Sequence, residues 1–145
     1  MPRPISIVRF ERLYLLAILL GLVSSAFAWP QSTASFARNP ALADMMWLLP
    51  AMTAAGVTVR LLLWYFTAHQ PSMMAKWTVV ALAGVAGLIL LFGIFALISD
   101  ATPSLAASLT GIVAGSLHVV AAAYLFRPDA AAWFGELVIT GDGVK

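Results

Sequence analysis

Residues 77–98 form one uninterrupted apolar run, WTVVALAGVAGLILLFGIFALI, that carries no charged side chain. As an α-helix, this run reaches about 33 Å, which is enough to cross the roughly 30 Å hydrocarbon core of a bilayer. A soluble domain of 145 residues has no use for such a segment. The sequence therefore predicts a membrane protein.

The composition agrees with a bilayer environment. The chain is 62% hydrophobic and 10% charged, whereas soluble domains are roughly 25% charged. There is no hydrophilic stretch long enough for a separate domain, so residues 1–145 are predicted to form a single membrane domain. Cysteine is absent, which excludes disulfides, thiolate metal sites and cysteine nucleophiles.

Four apolar runs have the length of membrane-spanning helices, at residues 13–29, 45–66, 77–98 and 105–126. Helix-breaking prolines separate or follow them, at positions 30, 40, 71, 103 and 128. We predict an all-α integral membrane four-helix bundle with short loops, followed by a short cytoplasmic tail at 127–145. The first helix is short as counted and can begin earlier, near Ile5.

The first apolar run has an alternative interpretation. Arg3, Arg9 and Arg12 precede it, and it ends with the sequence Ala-Phe-Ala at 26–28, which is the layout of a cleavable signal peptide. Cleavage would leave three spans. We expect the helix to be retained, because these flanks also suit a true span.

The basic residues predict the orientation of the helices. Lys and Arg accumulate on the cytoplasmic side of membrane proteins. One predicted side holds Arg3, Arg9, Arg12, Lys76, Arg127 and Lys145, whereas the other holds only Arg38. Both termini and the second loop are therefore predicted to be cytoplasmic, with headgroup contacts from Arg9, Arg12, Lys76, Trp77, Arg127 and Trp133. Because the basic residues flank the spans, the predicted partner is the bilayer, including anionic lipid, and not nucleic acid.

Arg60 is a charged residue inside the second span, about 9 Å from its cytoplasmic end at Phe66. Charge at such depth is costly and suggests a function by default. The structural alternatives are that its guanidinium extends to the cytoplasmic headgroups or pairs with Glu11. The neighbours on its helical face are smaller and more polar than the rest of the span, which predicts that the face looks inward: Thr53, Gly56, Trp64 and Thr67.

His118 is predicted to lie at a depth similar to that of Arg60, because the second and fourth spans run in the same direction. It can relay protons or bind a ligand; the structural alternative is a packed histidine bonded to a neighbouring helix. His69, the only other histidine, is in a loop, so no metal or cofactor is expected. The residues singled out as a candidate intramembrane polar site are Arg60, His118 and Glu11.

Small residues recur at helical spacing in the last two spans. Ala107, Gly111 and Gly115 are four residues apart, and the third span carries Gly84 and Gly87. Such spacing lets helix backbones approach closely. It favours tight packing within the bundle over dimerisation.

Two short segments carry a resemblance to a known group of proteins. The second loop reads SMMAKW at 72–77, and the tail reads FRPD at 126–129 and AWF at 132–134. In these features the whole chain resembles small four-span inner-membrane proteins of proteobacteria, most of which have no assigned function. The resemblance implies a bacterial plasma membrane and no particular activity. Physically, Ser72 can cap the third helix, and Lys76 and Trp77 can reach lipid headgroups.

No catalytic pattern of the H-E-x-x-H, G-x-S-x-G or P-loop type occurs. The leading hypothesis is therefore a non-enzymatic accessory or structural membrane protein that binds lipid or other membrane proteins, or self-associates. A small oligomeric transporter or channel lined by Arg60 and His118 is the alternative, although no acid lies deep in a span to couple ions. A membrane enzyme acting on lipid is a third, weaker hypothesis.

Overall fold

The chain folds into a helical bundle, seen in a computed structural model that describes residues 3–99 and 104–136. Predictions concerning Pro103, Lys145 and the rest of the tail at 137–145 lie outside the described residues. All regular structure in the described ranges is helical: α1 (Ile5–Arg38), α2 (Leu48–Ala68), α3 (Met73–Ile98), α4 (Leu105–Tyr124) and α5 (Pro128–Trp133), with a 3₁₀ turn at Ala43–Met45. Helices α1 to α4 are long and apolar enough to cross a membrane, which confirms the predicted all-α class with four long apolar helices.

Helix α1 is much longer than predicted. It begins at Ile5 and continues through Pro30 to Arg38, so Pro30 does not begin the first loop. A proline in a helix removes one backbone hydrogen bond, but the next eight residues contain no glycine or second proline, and helical bonding resumes. At about 1.5 Å per residue the helix reaches about 51 Å, longer than the hydrocarbon core of a bilayer.

Serine side chains cap the first turns of α3 and α4. Ser72 Oγ accepts a hydrogen bond of 3.3 Å from the Ala75 amide at the start of α3, as predicted. Ser104 Oγ accepts an equivalent bond from the Ala107 amide at the start of α4. Each cap satisfies an amide that has no partner within its own helix. The third span therefore starts four residues before the predicted Trp77, at Met73.

Helix α4 is central to the bundle. It packs most extensively against α1 and next against α3, whereas α2 makes smaller interfaces with α1 and α3. The antiparallel order of the four helices brings Ile5, Ala68, Met73 and Tyr124 to one end, which we call the N-terminal end. Helix α5 also packs there, against α1.

The buried core lies at the N-terminal end and does not continue along the bundle. Buried residues of α1 stop at Ile18, those of α3 stop at Ala83, and those of α4 begin at Ala114. Helix α2 buries only Thr67 and Ala68, in its last turn. The core cluster consists of Ile7, Phe10, Tyr14, Ile18, Ala68, Val79, Ala121, Leu125, Ala130 and Phe134. Toward the opposite end, none of the described residues of these helices is buried.

The residues after α4 dock on the N-terminal end, whereas the sequence predicts only a short tail. The Ser6 amide and hydroxyl donate to the two carboxylate oxygens of Asp129, at 3.0 and 2.7 Å. These bonds hold the pKa of Asp129 below its usual range. Trp133 Nε1 donates to the Thr67 carbonyl at 3.3 Å. Helix α5 thus ties α1 to α2.

A buried ion pair completes this attachment. Lys76 Nζ lies 2.6 and 2.8 Å from the carboxylate oxygens of Glu136, and the Lys76 side chain is only 2% exposed. Nζ also lies 5.2 Å from the ring centroid of Phe126 and 5.1 Å from that of Phe134, within the range of cation–π attraction. The prediction that Lys76 contacts lipid headgroups is therefore wrong for this structure, because the C-terminal segment covers it.

Candidate functional site

A cavity of about 490 Å³ opens where the core ends, and all four long helices line it. It is partly open to the exterior. Its volume falls within the roughly 300–1,000 Å³ typical of small-molecule sites. The side chains that decide its chemistry are Arg60 and His118 at one end, with Met52, Ile89, Leu90 and Ile112 contributing apolar wall.

Arg60 points into this cavity and not toward the N-terminal end. Its Nη1 lies 3.9 Å from the position that a Cβ on Gly56 would occupy. Gly56 is one turn earlier in α2, farther from the N-terminal end, and side chains on a helix lean in that direction. The prediction that Arg60 extends to the headgroups at that end is therefore wrong in this structure. The predicted inward face of α2 is confirmed, since Thr53 and Gly56 line the cavity and Thr67 is buried.

The predicted pair between Arg60 and Glu11 does not form. Glu11 Oε2 instead accepts from Arg3 Nη1 at 2.9 Å, within the N-terminal segment. Glu136 is bound to Lys76, and these two are the ion pairs of the described residues. Across residues 3–99 and 104–136, the guanidinium of Arg60 thus has no carboxylate within ion-pair distance. Its positive charge is available to the cavity.

His118 lies at the same end of the cavity as Arg60, as the sequence predicts. Its Nδ1 lies 3.1 Å from the Ala114 carbonyl, so Nδ1 donates within its own helix and not to a neighbouring helix. In the neutral ring, Nε2 is then the acceptor. Nε2 is buried and has no hydrogen-bond partner among the described residues.

Tyr14 contacts His118 and so adjoins the pair of site residues Arg60 and His118. The sequence did not predict it as a site residue. Its ring meets that of His118 edge-on, with centroids 5.1 Å apart, and its side chain is buried in the core. The available signal was helical spacing, because Phe10, Tyr14 and Ile18 recur every four residues on one face. Tyr14 thus stands between the core and the cavity.

The small residues of α4 let two neighbouring helices approach closely. A Cβ on Gly111 would lie 3.2 Å from Ser24 Oγ on α1, and a Cβ on Gly115 would lie 3.4 Å from Leu90 Cδ1 on α3. Ser24 also donates to the Ala107 carbonyl at 2.8 Å. The tight packing predicted for this stripe is confirmed.

The two glycines singled out in α3 behave differently from each other. A Cβ on Gly87 would make an ordinary contact with Val119, at 3.6 Å, whereas a Cβ on Gly84 would meet nothing within 4 Å. Gly84 is exposed. The packing role predicted for Gly84 is therefore absent here, because its side of α3 faces away from the other helices.

The predicted headgroup contacts divide into exposed and covered residues. Arg9, Arg12 and Arg127 are exposed at the N-terminal end, and Trp77 is 54% exposed, so all four can reach a surrounding interface. Trp133 packs against the core cluster and bonds to Thr67. Trp133 therefore fastens α5 and is not a free interfacial anchor.

The site thus combines one cation with a largely apolar wall, and the Nε2 of His118, unpartnered among the described residues, is buried beside it. Such a combination can bind an amphiphile by its charged end and its apolar body. No protein-family model, curated protein or solved structure was found to match this chain.

Proposed function

We propose that this protein is a non-enzymatic, multi-pass membrane protein that binds lipid inside its helix bundle and serves other membrane proteins as an accessory or structural component. The observation that carries this proposal is the cavity of about 490 Å³ between α1, α2, α3 and α4. Because the cavity is partly open, it would admit a lipid-like molecule from the surrounding bilayer.

The closed end of the cavity favours binding over passage. On the side of the N-terminal end, Phe10, Tyr14 and Leu125 are buried in the core cluster, and α5 covers that end. A solute that reached Arg60 would meet packed side chains beyond it. The geometry therefore supports a site with one closed end.

The alternative function is a small oligomeric transporter or channel. The observation that favours it is that Arg60 and His118 line the same cavity, as a polar pathway requires. A pathway would need several copies of the chain, or a rearrangement of the core. Solute flux in proteoliposomes that Arg60→Lys abolishes, with the fold intact, would favour this alternative.

Lipid binding is tested directly by native mass spectrometry of protein purified in mild detergent. We expect lipid to remain bound to the wild-type chain and to be depleted in Gly56→Leu. That leucine would project into the cavity beside Arg60, since a Cβ on Gly56 meets only Arg60 at 3.9 Å. The matched control is Gly84→Leu, which adds the same side chain on an open face. Absence of bound lipid from all three proteins would contradict the proposal.

We further propose that the chain resides in a bacterial inner membrane with both termini in the cytoplasm. The support is the excess of Lys and Arg at the N-terminal end of the bundle. Reporter fusions after residues 41, 70, 102 and 145 should therefore read periplasm, cytoplasm, periplasm and cytoplasm. A periplasmic reading at residue 145 would contradict this topology, as would a mature chain that begins near Trp29.

A further inference from the structure

We infer that the cavity binds a single-chain amphiphile with a carboxylate headgroup, of the fatty-acid type, and that Arg60 holds the carboxylate. This inference rests on the proposed lipid-binding function and specifies the ligand class of the same site. It follows from the position of the charge, the shape of the cavity and the chemistry of its wall.

The charge that a ligand would meet in the cavity is that of Arg60. Within the described residues, the guanidinium of Arg60 has no carboxylate partner, and it leans over Gly56 into the cavity. An unpaired charge at membrane depth is costly. A carboxylate from a ligand satisfies it through charge-assisted hydrogen bonds, which an arginine can make in pairs. Arg60 is exposed at the partly open cavity, and the ligand class that complements its charge is anionic.

The length and volume of the cavity limit the size of its ligand. In α2 the lining residues run from Met52 to Arg60, and in α4 they run from Ala107 to His118. At 1.5 Å per residue these stretches are about 12 and about 16 Å long. A volume of about 490 Å³ over this length suits one acyl chain better than the two chains of a phospholipid. The chain would extend from Arg60 away from the N-terminal end.

The wall along which the acyl chain would lie is largely apolar. Met52, Ile89, Leu90 and Ile112 supply apolar surface there. The Ser24 and Thr53 hydroxyls already donate to backbone carbonyls, so neither needs a polar ligand group. Ser25 and Ser108 add two further hydroxyls. With the cation at one end and apolar side chains beyond it, the cavity matches the polarity of a fatty acid.

The experiment uses a palmitate probe with a photoactivatable diazirine on its chain, and the full protein in phosphatidylcholine nanodiscs. After irradiation, the labelled peptides are mapped by mass spectrometry. We expect labelling on the cavity-lining stretches of α2 and α4. Arg60→Gln should lower the labelling about tenfold, since a hydrogen bond to a charged group contributes roughly that factor. Arg60→Lys should retain part of it.

A matched pair of variants and a second probe make the result specific. Gly56→Leu should block the labelling, whereas Gly84→Leu should leave it unchanged. The matched palmityl alcohol probe, which lacks the charge, should label the cavity about tenfold less than palmitate. Equal labelling by the alcohol, or labelling insensitive to Arg60→Gln, would overturn the inference.

A third probe separates this inference from the proposed function. If a diazirine-bearing phosphatidylcholine labels the cavity, Gly56→Leu blocks it and palmitate fails to label, then lipid binding stands and the carboxylate ligand is wrong. If none of the three probes labels the cavity, both proposals are wrong.

Discussion

We expect Gly115→Leu to lower the free energy of unfolding in detergent by about 1–3 kcal/mol, the range for adding bulk to a packed interface. A Cβ at this position would already lie 3.4 Å from Leu90 Cδ1 and 3.6 Å from the Ala86 carbonyl oxygen. The larger leucine would have to push α3 away from α4. A thermal unfolding series monitored by size-exclusion chromatography measures the change.

The control for Gly115→Leu is Gly84→Leu, which makes the same substitution in a membrane-spanning helix where a Cβ meets nothing within 4 Å. It accounts for the general effect of adding an apolar side chain. We expect its stability to stay within about 0.5 kcal/mol of wild type, as for surface substitutions generally. Equal stability of both variants would mean that α3 and α4 do not approach closely at Gly115.

The features that sequence reasoning predicted correctly are those with a local or periodic signal. Long apolar runs predict the four helices, and a serine before a helix predicts the cap at Ser72. Small residues at intervals of four predict the close approach at Gly111 and Gly115. In each case the physical cause lies within one helix or at its end, so one stretch of sequence contains it.

The docking of the C-terminal segment has no such local signal. The bonds between Ser6 and Asp129 join residues 123 positions apart, and Lys76 and Glu136 are 60 apart. In sequence, Lys76 beside Trp77 looks like a basic interfacial pair, which is why a lipid contact was predicted. Only the folded bundle brings Glu136 close enough to bury the lysine.

The direction in which the Arg60 side chain points was also not predictable from the sequence. Its depth in α2 was predictable, but two directions were open to its long side chain. The structure takes the one that crosses the vacant space above Gly56. An arginine at this depth can reach the nearer membrane surface. Both this space and the tilt of side chains toward the start of a helix favour the opposite direction.

The ion pair between Lys76 and Glu136 yields the second prediction with a large effect. Removing one partner of a fully buried pair costs about 3–5 kcal/mol, because the remaining charge stays buried and uncompensated. Glu136 is 30% exposed, so solvent screening reduces this cost. We therefore expect Glu136→Gln to lower the free energy of unfolding by about 1–3 kcal/mol. Thermal unfolding in detergent measures this change.

The double variant Lys76→Met with Glu136→Gln distinguishes the cost of an unpaired charge from the loss of a useful contact. It removes both charges and fills the lysine site with an apolar chain of similar length, so it should recover most of the lost stability. Hydrogen exchange provides the local readout. In Glu136→Gln the amides of α5 should exchange faster, because Lys76 no longer holds that segment on the bundle. A double variant as unstable as Glu136→Gln alone would show that the unpaired charge of Lys76 is not the cause of the lost stability. Unchanged hydrogen exchange in α5 would show that the ion pair does not hold α5 on the bundle.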